Sequence, residues 1–351
     1  MTCRRLSRVS DGEVPGSGEV TEVAPGILWI RMPLPFALDH INLWLIREEG
    51  GWTLVDTGFG DDPTRAAWEQ VERAVLGGAP IQRVVCTHCH PDHMGLAGWM
   101  RERWGTPLWT SQTEWLHGRM VSLDSVEAAE ANWARFYQRA GLSGEGLDRV
   151  VKRAGSYRRS VTPIPCTYRR VRDGDELRIG GDPWRIVVGR GHSPEHVCLY
   201  GPARGVLIAG DQVLPSITPN VSVWANEPDA EPLSDFLASL ATLRRLPDDL
   251  LILPSHGRPF VGLHRRLHEL SVHHRERLDQ VLSACAQART AYEVTRTMFA
   301  RDLDPHQSAF AVGESIAHLN HLVASGVVAR EQAPGAPDRY VRRPSRAMHR
   351  G

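Results

Sequence analysis

The apolar run Val84-Val85-Cys86 ends in Thr87-His88-Cys89-His90-Pro91-Asp92-His93-Met94-Gly95, which puts three histidines and an aspartate within six positions. That is the profile of a metal site at the end of a buried strand. His88 and His90 are two apart, so in an extended segment their imidazoles point to the same side. Asp92 and His93 follow in the turn before the next helix and can face a second ion about 3.5–4 Å from the first. A donor set of imidazole and carboxylate without cysteine suits zinc, and also Fe or Mn. The plainer reading is a surface run of histidine in a chain that holds 16 of them. The buried-strand pattern directly before the motif argues against it.

This stretch resembles the metal-binding signature of the metallo-β-lactamase-fold hydrolases. The resemblance implies further ligands downstream, each at a strand end. Gly191-His192-Ser193 follows Trp184 to Val188, Gly210-Asp211-Gln212 follows Val206 to Ala209, and Ser255-His256-Gly257 follows Leu250 to Pro254. Upstream, Thr53-Leu54-Val55-Asp56-Thr57-Gly58 matches the strand and Asp-x-Gly segment whose carboxylate supports the site from behind the ligands. The match runs in order from about residue 20 to residue 260 and rests on five motifs.

Carried over residue by residue, the resemblance gives His88, His90 and His192 to a first metal and Asp92, His93 and His256 to a second, with Asp211 bridging the two. Asp92 is the expected catalytic residue, orienting the nucleophile, and two divalent ions, zinc before Fe or Mn, are the expected cofactors. The implied reaction is attack by a metal-bridging hydroxide on an activated acyl bond: a thioester, a lactone or an ester. Asp211 disfavours antibiotic hydrolysis, because true β-lactamases of this fold usually lack it. His90 stands where flavodiiron relatives carry Glu. The glyoxalase II branch shares all seven ligands, but its glutathione-binding residues are not identifiable here, and no substrate-binding residue is assigned. The alternatives are a phosphodiesterase or nuclease on the same centre, and a mononuclear iron persulfide dioxygenase. His40, His196, Asn220, Ser222 and Trp224 are further candidates near the site, each equally readable as structural.

Length permits one large domain or two: the chain has 351 residues. No apolar run approaches the ~20 residues of a membrane span, and no secretory h-region is present, so a cytoplasmic protein is expected. The cysteines, six in all, lack any Cys-x-x-Cys spacing, so a disulfide framework is not expected and Cys89 reads as a buried, inert thiol. Lys and Arg balance Asp and Glu at zero net charge, which argues against nucleic acid as a partner. The expected partner is a small acyl substrate, with a homodimer as a further option.

Residues 1–18 read as a flexible N-terminus, residues 19–262 as the catalytic domain, and residues 263–351 as a linker helix followed by a small module. The expected fold class is α/β, the four-layered αβ/βα sandwich that the resemblance implies. A helical insertion at about 111–168 carries Val126, Ala129, Trp133 and Phe136 at three- and four-residue spacing. It reads either as a lid over the site or as cover for the core. At the C-terminal end, two helices and the strand pair Val327 to Arg330 and Arg339 to Val341 resemble the winged-helix module of some relatives. The helix that would enter a DNA groove, Ser308 to Ser325, has no Lys or Arg, so a packing, dimerisation or pocket-completing role is favoured.

Overall fold

The computed structural model describes residues 14–300 and 303–344. They form two compact units: 14–124, 155–219 and 239–267 make the first, and 125–154, 220–238, 268–300 and 303–344 the second. Of the expected flexible N-terminus, residues 1–13 lie outside the described residues, and Ser17 forms a β-bridge with Arg31.

The first unit contains two sheets. One runs β1 (Val20–Ala24), β2 (Ile27–Pro33), β3 (His40–Glu48), β4 (Gly51–Val55), β5 (Ile81–Val85), β6 (Leu108–Thr110) and β7 (Arg169–Arg170), in that spatial order. The other comprises β8 (Glu176–Ile179), β9 (Asp182–Gly189), β10 (His196–Gly201), β11 (Val206–Gly210) and β12 (Leu251–Pro254), ordered β12-β11-β10-β9-β8. β1 to β4 pair antiparallel, while β4, β5, β6 and β7 pair parallel. In the second sheet, β11 and β12 pair parallel and the rest antiparallel. The second unit adds the antiparallel hairpin β13 (Val328–Glu331) and β14 (Arg339–Arg342).

The helices are α1 (Asp62–Val71), α2 (Pro91–Met94), α3 (Ala97–Trp104), α4 (Gln112–Leu123), α5 (Val126–Arg139), α6 (Gly144–Val151), α7 (Ser156–Arg159), α8 (Pro232–Leu243), α9 (Leu263–Ala284), α10 (Ala291–Met298) and α11 (Pro305–Ala324). Asp61 caps α1 by accepting from Thr64 N, and Pro63 stands in the first turn where its missing N–H costs nothing. No helix among the described residues is long and apolar enough to cross a membrane.

Strand alternation builds the sandwich. On β3, Ile41, Leu43 and Leu45 join a core with Trp68 of α1 and Met100 of α3, whereas Trp44 and Ile46 face the opposite way. The latter pack with Trp29, Trp184, Ile186, Val197, Ile208 and Leu253, so this second core joins the two sheets. The α/β sandwich that the resemblance implies is present. β1 and β7 were not expected: each is a sheet edge held by backbone pairing, and β7 has two arginines and no apolar residue.

The insertion at 111–168 is divided between the units. α4 and α7 belong to the first, while α5 and α6 pack with the C-terminal helices of the second. There Phe136 and Tyr137 are buried, and Tyr137 Oη donates to Ala309 O at 3.5 Å. Five cysteines fall among the described residues, all with free thiols, and Cys89 is buried as expected.

Trp184 is fully buried, and its ring would lie 3.1 Å from a Cβ at Gly201. Trp184→Ala is therefore expected to cost about 3–5 kcal/mol of stability, read as the shift in a urea unfolding curve.

Candidate metal centre

All seven donors expected from the sequence converge in the first unit. Two groups form, each with donor atoms within 4.8 Å of one another: His88, His90, His192 and Asp211, and Asp92, His93 and His256. The topology explains the meeting. His88 and His90 follow β5, and Asp56 follows the parallel neighbour β4. Asp211 and His256 follow the parallel pair β11 and β12, and His192 follows β9, which runs in the same direction as β11. Asp92 and His93 stand in the turn before α3, which is the single helical turn α2.

His88 Nε2 lies 2.8 Å from His90 Nδ1 and 3.2 Å from His192 Nε2. Asp211 bridges the groups: its carboxylate lies 3.4 Å from His192 Nε2, 3.6 Å from His93 Nε2 and 3.4 Å from His256 Nε2. Asp92 Oδ2 is 3.6 Å from His93 Nε2 and 3.4 Å from His256 Nε2. Asp92 keeps 19% of its side chain exposed, so it opens to solvent more than Asp211 or the histidines 93, 192 and 256.

The second ring nitrogens settle which atoms are free to bind. His256 Nδ1 donates to His40 O at 2.8 Å, which turns Nε2 into the cluster. His93 Nδ1 faces Asp56 Oδ2 at 2.8 Å and so turns Nε2 inward. Thr87 Oγ1 donates to Asp56 and lies 3.0 Å from His88 Nδ1, from which it accepts, again leaving Nε2 inward. Asp211 N donates to His196 Nε2 at 3.1 Å, which holds the peptide of the bridging carboxylate. Gly210 has φ of +54°, and a Cβ there would lie 2.5 Å from the His196 ring, so the close approach needs glycine.

Asp56 has φ of +61°, a left-handed conformation that costs a non-glycine residue about 1–2 kcal/mol. Its hydrogen bonds hold it there: Thr87 N donates at 2.7 Å, Thr87 Oγ1 at 2.8 Å, and its own N–H donates to Val85 O at 2.9 Å.

The charges separate the two groups. Burial, reinforced by His192, pushes His90 down to about 3, and burial with His93 beside it likewise lowers His88. Burial also opposes charge on His93 and His256, but the carboxylates outweigh it. Asp92, Asp56 and Asp211 hold His93 well above its usual value, and Asp211 and Asp92 raise His256 to about 10. Burial would raise Asp92, yet His93 and His256 bring it to about 2.

This donor set fits divalent metal ions. His93 Nε2 and Asp211 Oδ1 are buried without a hydrogen-bond partner, an expense that a cation between them removes. The spacing of His88 and His192, 3.2 Å, is close to the ~3.3 Å edge of a tetrahedron with ~2.0–2.1 Å bonds.

Reading the sequence missed Thr87 and Glu114, which looked like ordinary strand-end and helix residues. His40 proved structural and specific: Nδ1 bonds Asp39 Oδ1 at 2.7 Å, Nε2 accepts from Gly257 N at 3.0 Å, and its carbonyl holds His256. Asn42 strengthens the same loop by donating to Pro254 O and Gly257 O. Asn220, Ser222 and Trp224 belong to the second unit, where Ser222 Oγ donates to Phe310 O and Trp224 packs edge-on against Phe310.

Residues 37–256 match the profile described as the metallo-beta-lactamase superfamily, and residues 278–343 match that of the metallo-beta-lactamase-like C-terminal domain. Among solved structures, a beta-lactamase domain protein from Burkholderia ambifaria is 44% identical with a TM-score of 0.89, covering 95% of this chain and 97% of its own. The "Probable metallo-hydrolase YqjP" of Bacillus subtilis is 25% identical across 86% of this chain and 93% of its own length. The acyl-coenzyme A thioesterase MBLAC2 of Gallus gallus is 26% identical across 67% of this chain and 79% of its own.

Removing one imidazole from the second group should separate the two sites. His256→Ala is expected to release one ion early in a chelator titration, with the other ion leaving at the wild-type chelator concentration. Equal early loss of both ions would show that the groups do not act separately.

Proposed function

The chain belongs to the metallo-β-lactamase superfamily, and on that premise we propose that it hydrolyses an activated acyl bond, with a thioester as the first choice. The observation that carries this reading is the carboxylate of Asp211, shared between His192 of one group and His93 and His256 of the other. Two divalent ions, zinc before Fe or Mn, would be held by His88, His90 and His192 on one side and Asp92, His93 and His256 on the other. When bound, such ions bring the pKa of water from 15.7 towards ~7 and polarise a carbonyl.

The protein's own groups then have distinct tasks. Asp92 is ionised at neutral pH and is the more solvent-exposed of the two carboxylates, so it accepts a hydrogen bond from the attacking water and orients it. Asp56, through His93 Nδ1 and Thr87, keeps the imidazoles at fixed angles, so little reorganisation is needed as charge develops. The thioesterase name of the chicken relative favours a thioester over a lactone or simple ester.

The test is turnover on matched thioester, lactone and bis-p-nitrophenyl phosphate substrates, with metal content and oxygen uptake measured on the same preparation. Thioester cleavage should dominate, and Asp211→Ala should lower it by about 10²-fold or more while the protein stays folded. A preference for the phosphodiester, or uptake of oxygen, would replace this reading with another chemistry of the same centre.

A further inference from the structure

Glu114 lies in the first turn of α4, and its side chain is fully buried. Its carboxylate receives three hydrogen bonds. Cys89 N donates to Oε2 at 2.9 Å, while Ser193 Oγ and Glu195 N each donate to Oε1 at 2.7 Å. Cys89 is the residue between His88 and His90, and Ser193 follows His192. One carboxylate therefore ties together the two loops that carry every histidine of the first donor group.

The surrounding contacts make the tie rigid. Tyr157 Oη donates to Cys89 O at 2.5 Å, so the residue between the paired histidines is gripped at both its N–H and its carbonyl. Ser111 Oγ donates to Glu195 O at 2.9 Å, and Thr113 N to Glu195 Oε2 at 3.2 Å, which binds the start of α4 to the second loop. At Gly118, one turn further on, a Cβ would stand 3.1 Å from Tyr157 Oη and 3.4 Å from Cys89 Cβ, so helix and loop are in close contact.

We propose that Glu114 is a positioning residue that sets the separation of the His88–His90 loop from the His192 loop, and thereby the affinity of the first donor group for its metal ion. The inference rests on the reading that these histidines hold a metal. Bonds to a charged acceptor are about twice as strong as neutral ones, and two of the donors are backbone N–H groups that cannot turn away. An amide at this position offers one acceptor and one donor. Either orientation of Glu114→Gln then sets an N–H against another hydrogen donor.

In a chelator titration with both ions counted, Glu114→Gln should lose the first-group ion at about 10–100-fold lower chelator concentration, with the second-group ion unmoved. The metal-free protein should also lose protection against hydrogen exchange at the Cys89 and Glu195 amides. Wild-type release of both ions, or equal weakening of both, would overturn the assignment, because a general loss of stability does not discriminate between the groups. Ser193→Ala removes one donor with little change of shape and should move the same ion by a smaller factor; it decides the question if Glu114→Gln does not fold. Wild-type protein that binds no metal would instead refute the proposed function, and amide exchange in the metal-free variants would still judge Glu114.

Discussion

The centre depends on close approach between donor atoms that cannot all carry protons. Ring nitrogens of His88, His90 and His192 approach to 2.8 and 3.2 Å in a space that the carboxylates of Asp92 and Asp211 also face. Donors are held from behind, and a cation between them would relieve the crowding of like charges. The holding groups come from distant parts of the first unit: Asp56 and Thr87 behind His93 and His88, His40 behind His256, and His196 behind Asp211. Burial excludes water from the same space, so the field of each carboxylate on its histidines is strong. His93 and His256 consequently take up protons that a divalent ion would displace.

The sheets make this convergence economical. β4 with β5 and β11 with β12 are the parallel pairs whose C-terminal ends deliver Asp56, the His88 loop, Asp211 and His256. Side chains at the ends of parallel neighbours begin about one strand spacing apart, so only short loops are needed to bring them together. Parallel and antiparallel strands alike contribute to the two cores, so the ligand loops start from buried strand ends. The strained backbone at Asp56 is stabilised by hydrogen bonds to the loop that it orients.

In the second unit the organising contact is also a buried carboxylate. Asp338, 4% exposed, accepts from Arg139 at 3.0 Å and from Arg330 Nε at 2.8 Å, while Arg330 reaches Asp229 as well. This network joins α5 of the insertion to the β13–β14 hairpin, so that part of the insertion and the C-terminal region share one folded unit. Buried ion pairs add little net stability, but breaking one leaves a costly unpaired charge, which suits a contact that selects one register.

The linear sequence was sufficient for the features that depend on neighbours. An apolar run ending in His88, His90, Asp92 and His93 reads as a strand delivering a polar loop, and the resemblance that this motif carries pointed to His192, Asp211 and His256 at other strand ends. Tertiary structure decided the rest, because it depends on pairings between distant residues. Nothing near Glu114 in the chain distinguishes it from a surface helix residue until α4 is packed against Cys89 and Ser193. The bond from His256 to the His40 carbonyl spans 216 residues, so no local pattern records it. The division of the insertion between two units is likewise invisible to spacing. A helical stripe shows that a face is buried, while the partner it is buried against is chosen only when the whole chain has folded.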